Sequence, residues 1–253
     1  MQLIQMTWPE VAALPRQTPI VIPLAATEQH GLHLPVSTDS LLLGEVIRRA
    51  AERLADRVVF APLMWLGNSH HHLDFVGGVS ASPRAYLDTL LDLAENFLPH
   101  GFERIVFING HGGNVIPGKQ AVFELRQKYR ERENLQLLFT SYWSLGSKPP
   151  QLNSQLQQDQ LGHACEWETS MLLRIAPELV KDFATLEPVG FEIPFEPAYR
   201  GWITKERTKT GHIGDPRSAT AEKGEILLRV FAADVASFLE RVATWNGQAW
   251  SGG

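Results

Sequence analysis

Residues 19–39 of this chain read PIVIPLAATEQHGLHLPVSTD. The first eight, Pro19 to Ala26, are apolar and predict a buried β-strand. The polar remainder brings two carboxylates and two imidazoles within a short distance along the chain, at Glu28, His30, His33 and Asp39. Neutral imidazole and carboxylate oxygen are ligands of divalent transition metals, and open α/β sheets place their active sites where buried strands end. The stretch therefore predicts a metal-dependent enzyme built on an α/β sheet.

Composition narrows the class of protein. The chain has 253 residues, of which 44% are hydrophobic, and this is enough for one sizeable core. Its net charge of −5 argues against a nucleic-acid-binding surface, which needs a basic excess. The one cysteine, Cys165, excludes an intramolecular disulfide and a Cys-rich zinc site. Since no signal-peptide pattern and no apolar run of about 20 residues occur, we expect a single cytoplasmic domain over residues 1–253, without a membrane or nucleic-acid partner.

Apolar runs alternate with amphipathic stretches along the chain. The runs predict four strands: Pro19 to Ala26, Val58 to Leu66, Arg104 to Ile108, and Leu135 to Trp143. The amphipathic stretches predict four helices: Ser37 to Leu54, Arg84 to Leu98, Asn114 to Arg132, and Ala219 to Val242. Such alternation is typical of an α/β fold with a mainly parallel, helix-covered sheet.

Two segments lack periodicity. Ser147 to Gln160 is rich in Pro, Gln and Ser and predicts a surface loop, whereas Pro188 to Gly214 is long, aromatic and rich in Gly and Pro. A long irregular segment within a compact domain is often a lid or an interface. We therefore expect Pro188 to Gly214 to lie at or near a subunit interface beside the active site.

The ligand-type residues of the first stretch have two interpretations. Glu28 and His30 are two apart, so in an extended segment both side chains point the same way and can face one pocket. Asp39 begins the next predicted helix and can reach back to the same point. Alternatively, Asp39 is an N-cap and His30 an ordinary hydrogen-bonded side chain. The clustering of four ligand-type side chains in one short segment favours metal.

A second motif, Asn109-Gly110-His111-Gly112-Gly113-Asn114, also lies between a strand and a helix. Its glycines allow positive φ angles and close backbone approach. His111 can ligate a metal over the end of the sheet, although the motif alone fits an anion-binding nest at a helix N-terminus equally well.

A third motif, Gly162-His163-Ala164-Cys165-Glu166-Trp167-Glu168-Thr169-Ser170, leads into an apolar run. His163 and Glu166 share one helical face, while Glu168 lies on another. The alternative is a helix start whose acidic residues favour the helix dipole. Cys165 is interpreted as a buried small residue and not as a nucleophile.

Other residues are candidates for a substrate pocket. Of the three consecutive histidines at positions 70–72, we expect only His72 to face the pocket. Trp143, Trp167 and Trp202 can wall a pocket, or they can belong to the core or an interface.

Together these motifs resemble the creatininase (creatinine amidohydrolase) family, in this order along nearly the whole chain. The resemblance is carried by Glu28-Gln29-His30-Gly31, Thr38-Asp39, Gly67-Asn68-Ser69, Asn109 to Asn114, His163 to Ser170, and Thr210-Gly211 to Pro216. The combination is specific for the family and not for the substrate. Members include creatininase, deformylases of formamidopyrimidine intermediates, and peptidases that mature a redox cofactor peptide.

The resemblance implies a three-layer α/β/α subunit, usually a hexamer, with two divalent metal ions. By position, Glu28 and His111 resemble ligands of one metal, His30 a ligand of the other, and Asp39 the bridge between them. In creatininase the second ion also takes a glutamate two residues after the Asn-Gly-His histidine, where this chain has Gly113. Glu168 is the favoured replacement.

For catalysis, His163 resembles the family's catalytic histidine, although the glutamate that precedes it in creatininase is here Gly162. Glu166 is the alternative to Glu168 as a ligand of the second metal. It is also, with His163, a candidate catalytic residue. Backbone N–H groups of Gly112 and Gly113 are placed to help bind the substrate and stabilise an oxyanion.

Together, these expectations predict a metal-dependent hydrolase that cleaves a non-peptide C–N amide bond in a cyclic amide or a formamide. Two divalent ions, zinc, manganese or iron, would activate water, and His163 would transfer a proton to the leaving nitrogen. The alternatives are a peptidase that matures a small modified peptide, favoured by a roomy, open cleft, and a non-catalytic metal-binding oligomer, favoured by a missing ligand.

Overall fold

The computed structural model of the chain describes residues 1–146, 154–192, 194–195 and 197–247. These residues contain one parallel sheet of four strands, in the spatial order β2-β1-β3-β4. The strands are β1 (Ile20–Leu24), β2 (Val59–Phe60), β3 (Arg104–Asn109) and β4 (Gln136–Ser141). The helices are α1 (Trp8–Ala13), α2 (Thr38–Leu54), α3 (Pro83–Glu95), α4 (Val115–Lys128), α5 (Glu166–Ile175), α6 (Thr204–Arg207) and α7 (Ala221–Ala243).

Helices cover both faces of the sheet, as the three-layer α/β/α architecture requires. Side chains alternate between the two faces along each strand. Val21 and Val106 therefore pack with helices α2, α5 and α7 on one side, while Ile22 and Phe107 pack with α3 and α4 on the other. All five residues of β1 are buried, because the strand is covered on both faces.

The order of the strands creates a crevice at one edge of the sheet. Strands β1 and β3 are neighbours with five residue pairs in register, from Ile20↔Ile105 to Leu24↔Asn109. The helix that follows β1 is α2, on one face, and the helix that follows β3 is α4, on the other. Chains that leave neighbouring strands in opposite directions open a crevice at the carboxyl edge, which is where such sheets bind ligands.

Several elements differ from the predicted bounds. The strand predicted over Val58 to Leu66 is paired only at Val59–Phe60, because Pro62 lacks an N–H and later residues join β1 through isolated contacts such as Met64 N–H to Pro23 O. Helix α1 was not predicted, although its capping box, Thr7 with Glu10, and Pro9 in its first turn are standard start signals.

The two irregular segments are only partly described. Of the loop predicted over Ser147 to Gln160, residues 147–153 lie outside the described part, and residues 154–160 form no helix or strand. The segment Pro188 to Gly214 contains only the short helix α6 among its described residues. None of the helices in the described part of the chain is long and apolar enough to cross a membrane.

Candidate metal centre

The three motifs meet at the carboxyl edge of the sheet. Glu28 and His30 follow β1, and His111 follows β3. Asp39 lies in the first turn of α2 and Glu168 in the first turn of α5. All five side chains are buried, with at most 5% of their surface exposed. The structure thus brings together every residue that the sequence predicted as a metal ligand.

The two histidines of the cluster are oriented by backbone carbonyls. The Nδ1–H of His30 donates to the carbonyl of Glu28 at 3.1 Å, and the Nε2–H of His111 donates to the carbonyl of Asn68 at 3.0 Å. A carbonyl can only accept, so in the neutral ring of each histidine the other nitrogen carries the lone pair. An outer hydrogen bond of this kind is how proteins orient metal-binding imidazoles.

Those lone pairs face carboxylate oxygens. His30 Nε2 lies 3.1 Å from Asp39 Oδ1, and His111 Nδ1 lies 3.2 Å from both Asp39 Oδ2 and Glu28 Oε1. The two oxygens of Asp39 therefore face two different histidines, which is the arrangement a bridging ligand needs. Ser37, and not Asp39, is the N-cap residue of α2, so Asp39 does not have the capping role that was its alternative.

Unpaired polar atoms test whether the cluster suits a metal ion. Glu28 Oε2, His30 Nε2 and Asp39 Oδ2 are buried and have no hydrogen-bond partner among the described residues. Leaving such atoms unpaired is costly in a protein interior. Atoms that each bind one ion at about 2.0–2.2 Å lie about 3 Å apart, and the histidine nitrogens and carboxylate oxygens that face each other here are 3.1–3.2 Å apart. The donor set therefore fits a divalent cation.

Four overlapping groups of three side chains are close enough to hold an ion: Glu28, His30 and Asp39; Glu28, His71 and His111; His30, His163 and Glu168; Glu28, His72 and His163. Within each group the candidate ligand atoms lie within 4.8 Å of one another. Because the groups share members, these residues form one connected cluster that is able to hold metal.

The protonation of the cluster reflects a competition between burial and charge. Burial is the largest single effect and opposes the charged form of His30, but the carboxylates of Asp39, Glu168 and Glu28 together outweigh it and raise the pKa of His30 to about 9. Burial also opposes ionisation of Glu28, whereas His111 holds the pKa of Glu28 well below its usual range. Burial raises the pKa of Glu168 to about 7. Without a cation the cluster therefore retains protons, which a bound metal would displace.

The two candidate glutamates of α5 have different surroundings. Glu168 borders the cavity and joins His30 and His163 in one of the four groups. Glu166 is fully buried away from them: its Oε2 accepts from the backbone N–H groups of residues 157 and 158, and its Oε1 from Lys223 Nζ at 2.6 Å. This geometry argues against the catalytic and ligand roles considered for Glu166 and favours Glu168.

The Asn-Gly-His-Gly-Gly-Asn motif holds the ends of two strands together. Asn109 Oδ1 accepts from the backbone N–H of His111 and from Asn114 Nδ2, which also donates to the carbonyl of Ala25 beyond β1. His111 is thereby fixed above the sheet edge. Neither Gly112 nor Gly113 has a positive φ angle, so conformational freedom is not the reason for these glycines.

Close packing explains Gly113 instead. A Cβ at this position would lie 2.1 Å from the carbonyl oxygen of Asn68, 2.5 Å from His111 Nε2 and 2.8 Å from His71 Cε1. No side chain can occupy that space unless the His70–His72 turn moves. The glutamate that the family resemblance suggests for this position is thus excluded by the backbone of Asn68 and the ring of His71.

His72 is a hydrogen-bond donor in this arrangement. The side-chain amide of Gln29 is oriented by the Gly31 N–H at its oxygen and by the Gly211 carbonyl at its nitrogen. Its nitrogen also lies 2.7 Å from His72 Nδ1, which must therefore accept. The proton of the neutral ring is then on Nε2, 3.4 Å from Glu28 Oε1. Burial keeps the ring neutral by lowering the pKa of His72 to about 2.

Gln29 is an organising residue that sequence reasoning missed. Besides orienting His72, its backbone carbonyl accepts the Nε2–H of His163 at 2.7 Å. The Nδ1 of His163 consequently faces the cluster, 3.6 Å from Glu28 Oε1. The position of Gln29 between Glu28 and His30 could have indicated a role in the site. However, side chains alternate in direction along an extended segment, and this alternation predicts that Gln29 points away from the pocket.

A cavity of about 680 Å³, open to solvent, lies above the cluster. His72, Trp143, Gly112 and Gly113 line it, as do His163 and three residues not assigned a role from sequence: His71, Tyr199 and Arg207. Trp202 also lines the cavity. Trp167 does not line it, in contrast to the expectation. It is buried in the core and its ring lies 6.0 Å from that of Phe231.

Comparison with known proteins agrees with this geometry. The family model described as creatinine amidohydrolase matches residues 4–239. The chain belongs to the creatininase family. A solved structure of creatinine amidohydrolase (creatininase) superimposes with a TM-score of 0.79 at 26% identity, covering 97% of this chain and 98% of the other.

Two curated relatives differ in their substrates. The mycofactocin precursor peptide peptidase of Mycobacterium ulcerans is 33% identical over 95% of this chain and 87% of its own length. The creatinine amidohydrolase of Pseudomonas putida is 28% identical over 92% of this chain and 93% of its own length. Solved creatininases include a zinc form and a manganese form. The chain is accordingly a metal-dependent amidohydrolase of this family, with a cluster suited to metal.

Proposed function

We propose that this protein is a dinuclear-metal-dependent peptidase that hydrolyses an amide bond in a short peptide. The observation that carries the proposal is the open cavity of about 680 Å³ directly above the ligand cluster. Pockets for drug-sized ligands span roughly 300–1,000 Å³, so this one accommodates several residues of a peptide. The similarity to mycofactocin precursor peptide peptidases at 33–35% identity supports the same choice.

We assign the ligands from the contacts described above. Glu28 and His111 would hold one ion, and His30 and Glu168 the other, with Asp39 between them. Imidazole and carboxylate ligands accept zinc, manganese and iron alike, so the donor set does not select one metal. When bound, such ions lower the pKa of water and polarise a carbonyl group.

The surrounding residues supply proton transfer and orientation. His163 borders the cavity, and its Nε2–H is held by the Gln29 carbonyl, so its Nδ1 is the atom available to exchange a proton with substrate or water. The Nε2–H of His72 can donate to an oxygen bound beside Glu28. The backbone N–H groups of Gly112 and Gly113 at the cavity wall are candidates to stabilise an oxyanion.

A second candidate function is hydrolysis of a small cyclic amide or formamide. It is favoured by the relationship to the creatinine amidohydrolase of Pseudomonas putida. The third alternative, a non-catalytic metal-binding oligomer, is less well supported, because the missing glutamate at Gly113 is offset by Glu168 in the cluster.

The test is direct. Protein loaded separately with zinc, manganese and iron is analysed for bound metal, then assayed on a formamide, a lactam and a short peptide. We expect two equivalents of metal per chain and hydrolysis of the peptide. Turnover of only the lactam or the formamide would establish the second candidate, and tight metal binding without any turnover would favour the third.

We also propose that the whole chain forms one domain, that it acts in the cytoplasm and that it assembles as a homohexamer. The exposed aromatic residues Phe195 and Tyr199 of the Pro188–Gly214 segment support an interface there. Light scattering tests the assembly, and a monomer at micromolar concentration would refute it.

A further inference from the structure

The wall of the cavity carries an arginine that the proposed chemistry does not use. Arg207, at the end of α6, borders the cavity and is the only Lys or Arg among the described residues that line it. The acidic side chains of the lining, Glu28, Asp39 and Glu168, all belong to the cluster. The cavity therefore has an acidic floor and one cationic point on its wall.

Arg207 is held in place without an anionic partner. Its guanidinium carbon lies 5.1 Å from the centre of the Trp202 ring, a cation–π contact that orients its planar face. Among the described residues no carboxylate forms an ion pair with its guanidinium, and its side chain makes no hydrogen bond within that part of the chain. Burial lowers the pKa of Arg207, and Glu192 only partly opposes this effect. A half-buried guanidinium remains charged, so its hydrogen-bond donors are available to a ligand.

We propose that Arg207 binds the free C-terminal carboxylate of the peptide substrate, so that the enzyme cleaves close to the C-terminus. This inference rests on the proposed peptidase function and adds to it the end of the peptide that is recognised. A guanidinium matches a carboxylate through two parallel hydrogen bonds.

The charges around Arg207 favour a monoanion over a phosphate group. A smaller cleft of about 280 Å³ adjoins the cavity at Trp202 and Arg207, and it is lined by two arginines and two glutamates: Arg200, Arg207, Glu192 and Glu206. Their formal charges cancel. The two glutamates would repel a phosphate dianion more strongly than a carboxylate monoanion, which a single guanidinium can bind.

Ring contacts bound the distance between this anchor and the metal cluster. The ring of His111 lies 5.8 Å from that of His71, which lies 5.1 Å from that of Trp202, which in turn contacts Arg207. An extended peptide spans about 3.4 Å per residue. Only a few residues of substrate therefore fit between Arg207 and the reacting bond, which places that bond near the C-terminus.

The experiment compares two short peptides that differ only in ending with a carboxylate or a carboxamide. For the metal-loaded wild type we expect kcat/KM to favour the acid by roughly 10–100-fold, the range of a charged hydrogen-bonded pair, mainly through KM. Arg207→Gln should bring the ratio close to one, and Arg207→Lys should restore part of it. Lys205→Gln is the matched control, since Lys205 lies on the same short helix, is exposed and faces Asp74 at 3.8 Å.

Equal turnover of both peptides by the wild type, or an unchanged ratio in Arg207→Gln, would overturn the proposal while leaving the peptidase function intact. If neither peptide is hydrolysed, the peptidase function fails, and binding then decides the anchor: N-acetyl-leucine should bind more tightly than N-acetyl-leucinamide, and Arg207→Gln should abolish the difference. If inorganic phosphate displaces N-acetyl-leucine through Arg207 at lower concentration, the site is a phosphate site and the carboxylate assignment is wrong.

Discussion

Replacing Gly113 with alanine tests whether close packing of the metal-binding loop excludes a side chain there. The added Cβ would lie 2.1 Å from the Asn68 carbonyl oxygen and 2.5 Å from His111 Nε2, so the two loops must separate. Overpacking of this kind costs about 1–3 kcal/mol. Loss of the His111 to Asn68 hydrogen bond adds about 1 kcal/mol. We therefore expect Gly113→Ala to destabilise the protein by roughly 2–4 kcal/mol.

Thermal unfolding in the presence of a chelator measures this effect without a metal contribution. For a chain of this size, 1 kcal/mol corresponds to a shift in Tm of roughly 2–4 °C, so Tm should fall by roughly 5–15 °C. Metal affinity, measured by calorimetric titration, should fall by about 10–100-fold, because His111 loses the carbonyl that orients it.

The neighbouring glycine provides the matched control. A Cβ at Gly112 meets nothing within 4 Å, so Gly112→Ala should change stability by no more than about 0.5 kcal/mol. Gly113→Glu should likewise lose metal affinity and not gain a ligand. If Gly113→Ala matches Gly112→Ala in both Tm and metal affinity, the packing explanation for the missing glutamate is refuted.

Four further outcomes are expected from the cluster. Asp39→Ala should lose both metals by elemental analysis, because the two Asp39 oxygens face different histidines; two retained equivalents would rule out the bridge. Glu168→Gln should weaken metal binding in titrations. Glu166→Gln should lower Tm and leave metal binding unchanged, because Glu166 binds Lys223 and backbone N–H groups. If only Glu166→Gln weakened metal binding, Glu166 would be the ligand. His163→Asn should keep both metals and reduce kcat by about 10²–10⁴-fold, and metal loss would instead make His163 a ligand. Finally, the pKa of His30 is about 9 in the folded protein, against 6.5 for an ordinary histidine, so the stabilisation of the fold by protonated His30 is complete below pH 6.5 and is lost as the pH rises to 9. The Tm measured with chelator should therefore fall over this pH range in the wild type and fall less in His30→Gln. Equal dependence of Tm on pH in the two proteins would contradict the pKa shift.

The fold was predictable because its main elements have strong local signals. Strand β1 is buried on both faces of the sheet, which explains its continuous apolar run. Helix α2 is buried on one face, which explains its periodic pattern of apolar residues. The topology was less accessible, since nothing local distinguishes the order β2-β1-β3-β4 from other parallel arrangements. The strand order depends on which helices pack on which face.

Most residues of the cluster were predictable for a related reason. Parallel strands end at a common edge, so polar residues that follow β1 and β3 are expected to meet there. Arg207 could not be assigned in this way, because it lies in an irregular segment whose path over the cavity depends on tertiary contacts. Trp167 was misassigned, because its sequence neighbours suggest the site but its side chain packs in the core with Phe231.

The sequence by itself determined the chemical type of the site: carboxylates and imidazoles after buried strands, in the order typical of the creatininase family. Only the tertiary structure showed which of Glu166 and Glu168 faces the cavity. Two residues apart on a helix, their side chains point roughly 200° apart, so one faces the cavity and the other faces away. Which of them does so depends on the rotation of α5, and that rotation is determined by the packing of Met171 and Leu172 in the core with α2 and α7.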